Sequence, residues 1–369
     1  MIRGLVAEIN LSAIAQNLQS VQKVVTQRPV IAVVKADAYG HGAAQISKKL
    51  LENGVSHLAV AFAIEAVRLR ESGIASPIMV LFDNDDVRDY FDHDLLPVVS
   101  SIGTARKLSA EAQRRSCTLK VHVKIDTGMG RLGFYGDRVL ADIIAIADMP
   151  GLEIAGMMSH FSEADLSDRS FAVVQLELFN VLRDELEKRM GRRVMAHIAN
   201  SAAVMTFEQA YLDAVRPGLM LYGYSPLPDA TLPGLVPAMT VKAKIIDIRS
   251  LPTGTPISYG RTFVTERQSR IGVLAIGYAD GYSRLFSNNA HVLVRGKKVP
   301  VVGRVCMDLT MVDLTDVGEV DADEMAVIMG RQGDQVITAD ELAERAQTIS
   351  YEILISLGSK SKRLYVADH

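Results

Sequence analysis

Tryptophan is absent from this 369-residue chain, and cysteine occurs only twice. Cys117 and Cys306 stand far apart in dissimilar surroundings, which excludes a disulfide framework and fits reduced thiols in a cytoplasmic protein. The eight histidines form no His-Glu-x-x-His pattern, and no Cys-x-x-Cys accompanies them, so no metal site is expected. No apolar run reaches the ~18 residues needed to cross a bilayer, so no membrane role is expected. The N-terminus meets Glu8 too soon to contain the apolar core of a secretory signal. Charge of one sign is lacking too. Against 43 Asp and Glu stand 40 Lys and Arg, a net charge of −3 with no electrostatic footprint for nucleic acid. The short basic cluster from Lys360 to Arg363 reads as a solvated tail. No Gly-x-Gly-x-x-Gly opens a helix after the first strand, which argues against a dinucleotide site.

Apolar residues are plentiful at 49%, enough for a sizeable core, and the length favours two domains. Short apolar runs alternate with helical patterns. The runs are Val30–Lys35, His57–Ala61, Pro77–Phe82, Leu95–Val99, Leu119–Ile125, Glu153–Ser159, Val194–Ala199 and Asp213–Arg216. The clearest helical patterns are Asn10–Thr26, Ala61–Glu71, Ser101–Arg115 and Arg169–Arg189. This alternation predicts an α/β fold, a (β/α)8 TIM-type barrel, with a doubly wound open sheet as the alternative. After Pro226, Pro228, Pro233 and Pro237 the texture turns to β-rich runs, interrupted by one helix at Asp340–Ala346. Three segments follow. Residues 1–10 form an N-terminal strand packing with the C-terminal domain, 11–237 the barrel, and 238–369 a mostly β C-terminal domain.

In such a barrel the active site lies at the C-terminal strand ends. Lys35 closes the run Val30–Val34, where a buried ammonium is costly without a partner or a task. Burial lowers an amine's pKa and favours covalent chemistry with a carbonyl. A lysine that snorkels to solvent is the plainer reading. Lys124 and Arg131 follow the fifth run, His160 the sixth, Asn200 and Ser201 the seventh, and Arg216-Pro217-Gly218 the eighth. The last two strand ends suit a phosphate, although Asn200-Ser201 would equally serve as an ordinary helix cap. A lysine and a phosphate site at one barrel mouth point to pyridoxal 5′-phosphate (PLP). Arg216 is a candidate for the pyridine nitrogen; its alternative is an ion pair with Asp213. Arg131 could grip a carboxylate with two prongs, or lie on the surface. In the β-rich part, Ser258-Tyr259-Gly260, Tyr278 in a second tyrosine-glycine cluster, Cys306-Met307-Asp308 and Tyr351 are the polar candidates.

Seven segments carry a resemblance over nearly the whole chain. They are Val34–Gly42, Lys124–Gly133, His197–Ala202, Arg216–Gly218, Ile257–Gly260, Gly277–Gly281 and Gly303–Asp308. In this order they resemble bacterial alanine racemase, a fold-type III PLP family. The resemblance implies a homodimer with shared active sites that interconverts L- and D-alanine and supplies D-alanine for peptidoglycan. It implies that Lys35 carries PLP and acts as one base, while Tyr259 of the other subunit acts as the second. Tyr39, Ser201, Gly218 and Tyr351 would hold the phosphate, with Asn200 beside them. Arg216 would face the pyridine nitrogen and His160 the ring. Arg131 and the Met307 backbone would hold the substrate carboxylate, flanked by Cys306 and Asp308. Lys124 matches a position that can be carbamylated, and Tyr278 and Arg284 would line the approach to the site. The stretch Leu357–Arg363 is less typical of the family. A racemase of broader or serine-preferring specificity is the leading alternative, and a fold-type III decarboxylase a weaker one. A barrel-only PLP-binding protein would lack the β domain and Tyr259.

Overall fold

The computed structural model describes residues 4–82, 86–227 and 232–367, so Pro228 of the expected boundary lies outside the described residues. The chain forms two compact units. One is Ile14–Ala38 with Ala43–Val236; the other joins Met1–Ala13, Tyr39–Gly42 and Pro237–His369. The strand β1 (Leu5–Asn10) belongs to the second unit.

The first unit is built on seven parallel strands in sequence order. They are β2 (Ile31–Val33), β3 (His57–Val60), β4 (Ile78–Val80), β5 (Leu96–Val99), β6 (Leu119–Lys124), β7 (Leu152–Met158) and β8 (Met195–His197). Their continuous apolar runs fit parallel strands covered on both faces. The helices Ala63–Glu71, Ile102–Arg114 and Ser170–Met190 pack between them, close to the bounds read from sequence. The eighth expected strand, Asp213–Arg216, is not a regular strand. It still closes the ring. Asp213 and Arg216 donate to Ala196 and Ala199 on one side, while Ile31 and Val33 donate to Val215 and Pro217 on the other. Pro29 and Pro217 supply carbonyls but no N–H, which breaks the ladder on both sides of the seam.

In the second unit, β9 (Met239–Leu251) is the spine. It pairs antiparallel with β1, with Met325–Gln332 and with Ser269–Leu274. Lys242 and Glu8 bridge β9 and β1 at 2.6 Å. The basic cluster near the C-terminus is not a solvated tail. Lys360 ends the helix Ser350–Lys360, and Lys362–Val366 is an edge strand parallel to β1. Its residues are mostly exposed, so no apolar alternation marks it as a strand. Two helices, Ala339–Arg345 and Ser350–Lys360, stand where one was expected.

Candidate active site

Lys35 begins a turn that glycine does not explain. Ala36, Asp37, Ala38 and Tyr39 all adopt left-handed conformations, with φ of 52 to 54°. Each such non-glycine residue costs ~1–2 kcal/mol, so the turn needs support from its surroundings. Ala38 N–H donates to Val34 O at 2.9 Å. Glu65 accepts from Ala36 N at 2.6 Å, and Asp37 accepts from Ala43 N at 2.6 Å. The sequence flagged Gly40 and Gly42 as permissive, but the strained residues precede them.

Burial lowers the Lys35 amine, the positive charge of Arg131 lowers it further, and Glu65 opposes both. Lys124 ends β6 and is pushed down to about 8, chiefly by burial and then by Arg131 and Arg216. The loop that follows is organised by Asp126. Its carboxylate accepts from the N–H groups of Gly128, Met129, Gly130 and Arg131 at 2.7 to 3.1 Å. Gly133 is required there, because a Cβ would lie 2.6 Å from Asp126 N. Lys35, Lys124 and Arg131 all approach the ring of Phe82, at 5.6, 4.9 and 5.6 Å from its centroid. Phe82 was not singled out from sequence. Its position just past the end of β4 was the available signal.

Arg216 is buried and donates to backbone carbonyls rather than to an acid. Its acceptors are Ser159 O at 2.6 Å, His197 O at 2.8 Å and Ile198 O at 3.2 Å. Asp213 is turned elsewhere, to Ala196 N at 2.9 Å and Arg193 at 3.4 Å, which removes the ion pair with Arg216. Burial lowers the guanidinium to about 9, so it stays charged at neutral pH. Its Nη1 lies 2.6 Å from His197 Nδ1, and His197 Nε2 lies 2.8 Å from His122 Nδ1. Arginine can only donate, so His197 Nδ1 accepts and its Nε2–H donates onward to His122. Burial holds His160, whose Nδ1 is 3.4 Å from Arg216 Nη2, well below the usual imidazole value.

Asn200 does act as a helix cap, accepting from Ala203 N at 3.0 Å. Ser201 does something else: its hydroxyl accepts from Gly218 N at 2.9 Å, joining two residues read as a phosphate pair.

The remaining candidates belong to the second unit. The rings of Tyr39 and Tyr351 lie 5.8 Å apart, and burial raises the Tyr39 phenol. The backbone at Gly40 sits against the last helix, where a Cβ would lie 2.6 Å from Leu354 O. Arg363 Nε donates to Gly40 O at 2.8 Å, so the atypical C-terminal stretch holds the loop after Tyr39. Tyr259 is 72% exposed, in a turn entered through Ser258 at φ 63°. Ser258 donates to Arg304 O at 2.7 Å and lies 3.5 Å from Cys306 Sγ. Tyr278 N and Ala279 N donate to Cys306 O and Met307 O, each at 3.0 Å. The 258, 278–279 and 306–307 segments are therefore tied together, and Tyr259, Tyr278 and Met307 are each exposed, Met307 by 54%. Asp308 and Arg284 are also exposed.

Known proteins match this chain from end to end. Models of the alanine racemase N-terminal and C-terminal domains cover residues 9–226 and 238–365. The alanine racemase of Thermodesulfovibrio yellowstonii is 48% identical over 372 aligned positions, covering 100% of this chain and 99% of that protein. Alanine racemase 2 of Caldanaerobacter subterraneus subsp. tengcongensis is 44% identical, covering 99% and 95%. Among solved structures, alanine racemase from Bacillus anthracis with bound L-Ala-P has a TM-score of 0.91 at 35% identity, covering 99% of this chain and 96% of that one. Alanine racemase from Bartonella henselae with covalently bound pyridoxal phosphate has a TM-score of 0.88 at 29% identity, covering 98% and 99%. With both domains matched and the barrel-plus-β architecture shared, this chain belongs to the alanine racemase family.

Proposed function

We propose that this protein interconverts L- and D-alanine with PLP held on Lys35, by proton transfer on two opposite faces. The observation that carries the reading is the lysine at the end of β2, its amine lowered by burial and by Arg131 against the opposing pull of Glu65. The donor set suits the cofactor. Ser201 and the Gly218 backbone would take the phosphate, with Tyr39 and Tyr351. Arg216, whose hydrogen bonds go to backbone carbonyls and His rings among the described residues, would face the pyridine nitrogen, and His160 the ring. Bound there, the cofactor would withdraw electrons from the substrate Cα.

The protein's own groups then move the proton. A lowered amine leaves more of Lys35 neutral at working pH, able to take a proton from one face and return it. Tyr259 would serve the other face. Its exposure, and that of Tyr278 and Met307 in segments tied to its own, supports a role completed by a second copy of the chain. Arg131 and the Met307 N–H would hold the substrate carboxylate, and Tyr278 and Arg284 would line the approach. The lowered Lys124 amine suits reaction with carbon dioxide, and the resulting carbamate would orient Arg131. In the cell this reading makes the protein a cytoplasmic homodimer that supplies D-alanine for peptidoglycan.

Tyr259→Phe tests the two-base assignment. In single-turnover exchange with α-deuterated alanine, the variant should lose about 10²–10⁴-fold on the L-enantiomer. Exchange on the D-enantiomer should change far less. Equal loss on both enantiomers would reject the assignment.

A further inference from the structure

One carboxylate stands between the end of β2 and the start of a helix. Val34 N donates to Ala59 O at 2.9 Å, a bond of the ladder between β2 and β3. A parallel ladder would next set Ala36 N–H against Ala61 O. That carbonyl accepts from Phe82 N at 3.1 Å instead, and the chain turns left-handed at Ala36. Glu65 takes the place of the lost partner. Its Oε1 accepts from Ala36 N at 2.6 Å, while its Oε2 accepts from Ala61 N at 2.8 Å and Phe62 N at 3.1 Å. Phe62 is the N-cap of the helix Ala63–Glu71, an apolar residue whose side chain cannot cap it.

A glutamate in the first turn of a helix commonly reaches back to the N-cap N–H, and one oxygen suffices for that. Here the second oxygen leaves the helix and holds the residue after Lys35. The left-handed residues Ala36–Tyr39, with φ of 52 to 54°, begin at that bond. Such residues persist only where their surroundings over-determine them, and Ala36 is only half-buried. We propose that Glu65 is a positioning residue for Lys35: its bond to Ala36 N–H fixes where β2 stops and the left-handed turn begins, and so the direction in which the lysine side chain leaves the backbone. This rests on the reading of Lys35 as the residue that carries PLP. The bond is made to the backbone, so the role is the same whether the amine is free or bound.

The test separates holding the turn from capping the helix. Glu65→Ala removes both roles. Phe62→Ser/Glu65→Ala returns a cap to the helix, because a serine hydroxyl there accepts from a first-turn N–H, and it offers nothing to Ala36. Phe62 is 52% exposed, so its exchange disturbs no core. Two measurements are made on the full-length protein freed of cofactor. The first is hydrogen exchange of the segment Val34–Gly40. The second is the rate at which added PLP is trapped on Lys35 by borohydride, mapped by mass spectrometry and followed to its high-pH plateau. On that plateau the amine is neutral, so the upward pull of Glu65 on it drops out. Both variants should lose about 10- to 100-fold in the plateau rate and should exchange Val34–Gly40 about 10-fold faster. The double variant should keep those losses while it regains the urea midpoint that Glu65→Ala gives up. Recovery of both readouts in the double variant would overturn the proposal, since the carboxylate would then only cap the helix. Native trapping and exchange in Glu65→Ala would overturn it too. If PLP is not trapped on Lys35 in the unaltered protein, the cofactor reading falls, and this proposal with it.

Discussion

At the barrel mouth, charged side chains hold the backbone. Asp126 gathers four N–H groups, and Arg216 gathers three backbone carbonyls. On the Tyr259 face of the β unit the backbone does the holding. Gly277 lies so close to the 306–307 segment that a Cβ would stand 2.4 Å from Cys306 O and 2.3 Å from Met307 O. The two regions should therefore fail in opposite ways. The barrel mouth is sensitive to deletion of a side chain, and the β face to addition of one.

Deletion in the barrel should have the larger effect. Asp126→Ala removes the buried acceptor of four part-buried N–H bonds, at an expected cost of about 3 kcal/mol in urea unfolding. Loss of the loop that carries Arg131 should lower kcat/KM for alanine by about 100-fold. The effect has a pH signature. Burial raises the Asp126 carboxyl, but the four N–H bonds together outweigh burial and hold it below the ordinary carboxylate value. A depressed folded-state pKa adds stability above the unfolded value of ~3.9 and loses it as pH falls through the folded one. The gap between native protein and variant should thus be full at neutral pH and shrink on acidification below about pH 4. A gap independent of pH would mean that the carboxylate does not organise the loop.

Addition on the β face comes next. Gly277 has φ of −152°, so alanine meets no backbone strain there. Its Cβ would meet the two backbone carbonyls, and one segment must move. Gly277→Ala should cost about 1–3 kcal/mol in the same unfolding assay. It should also raise the proteolytic sensitivity of the 303–308 segment. A neutral Gly277→Ala would show that the β face is held loosely, and the contrast with the barrel would lose its basis.

The same contrast explains what could be read from sequence. Lys35, Lys124 and His160 could be assigned to strand ends from sequence because each closes or follows an apolar run that a parallel sheet buries. Three features were not legible. The left-handed turn at Ala36–Tyr39 uses residues that disfavour it, and its supports include Glu65, far away in sequence. The strand Lys362–Val366 is an exposed edge whose partner, β1, lies at the other end of the chain. Phe82 is a single aromatic whose neighbours Lys35, Lys124 and Arg131 come from other parts of the chain. In each case the missing information is long-range contact.

The smallest expected effect concerns Lys124, a barrel cation whose side chain is no part of the Asp126 hydrogen bonds that hold the loop. Lys124 is 3% exposed, and its amine is pushed from the ordinary 10.5 to about 8, mainly by burial. Below pH 8 both folded and unfolded chains hold this proton, and the folded state bears the full cost of a buried charge. Between 8 and 10.5 the folded chain releases the proton first, so stability should rise with pH across that window. Lys124→Met removes the titration. In buffer stripped of carbon dioxide, where Lys124 is a free amine, the variant should therefore be more stable than the native protein by about 1 kcal/mol at neutral pH, after allowing for solvent screening and the lost ring contact. The advantage should fade as pH rises above about 10. Urea unfolding of both proteins across this range measures the difference directly. A variant less stable than the native protein at neutral pH, by a margin that grows with added bicarbonate, would mean that Lys124 carries a carbamate. The barrel mouth would then contain an anion of its own beside Arg131, as the proposed role of Lys124 requires.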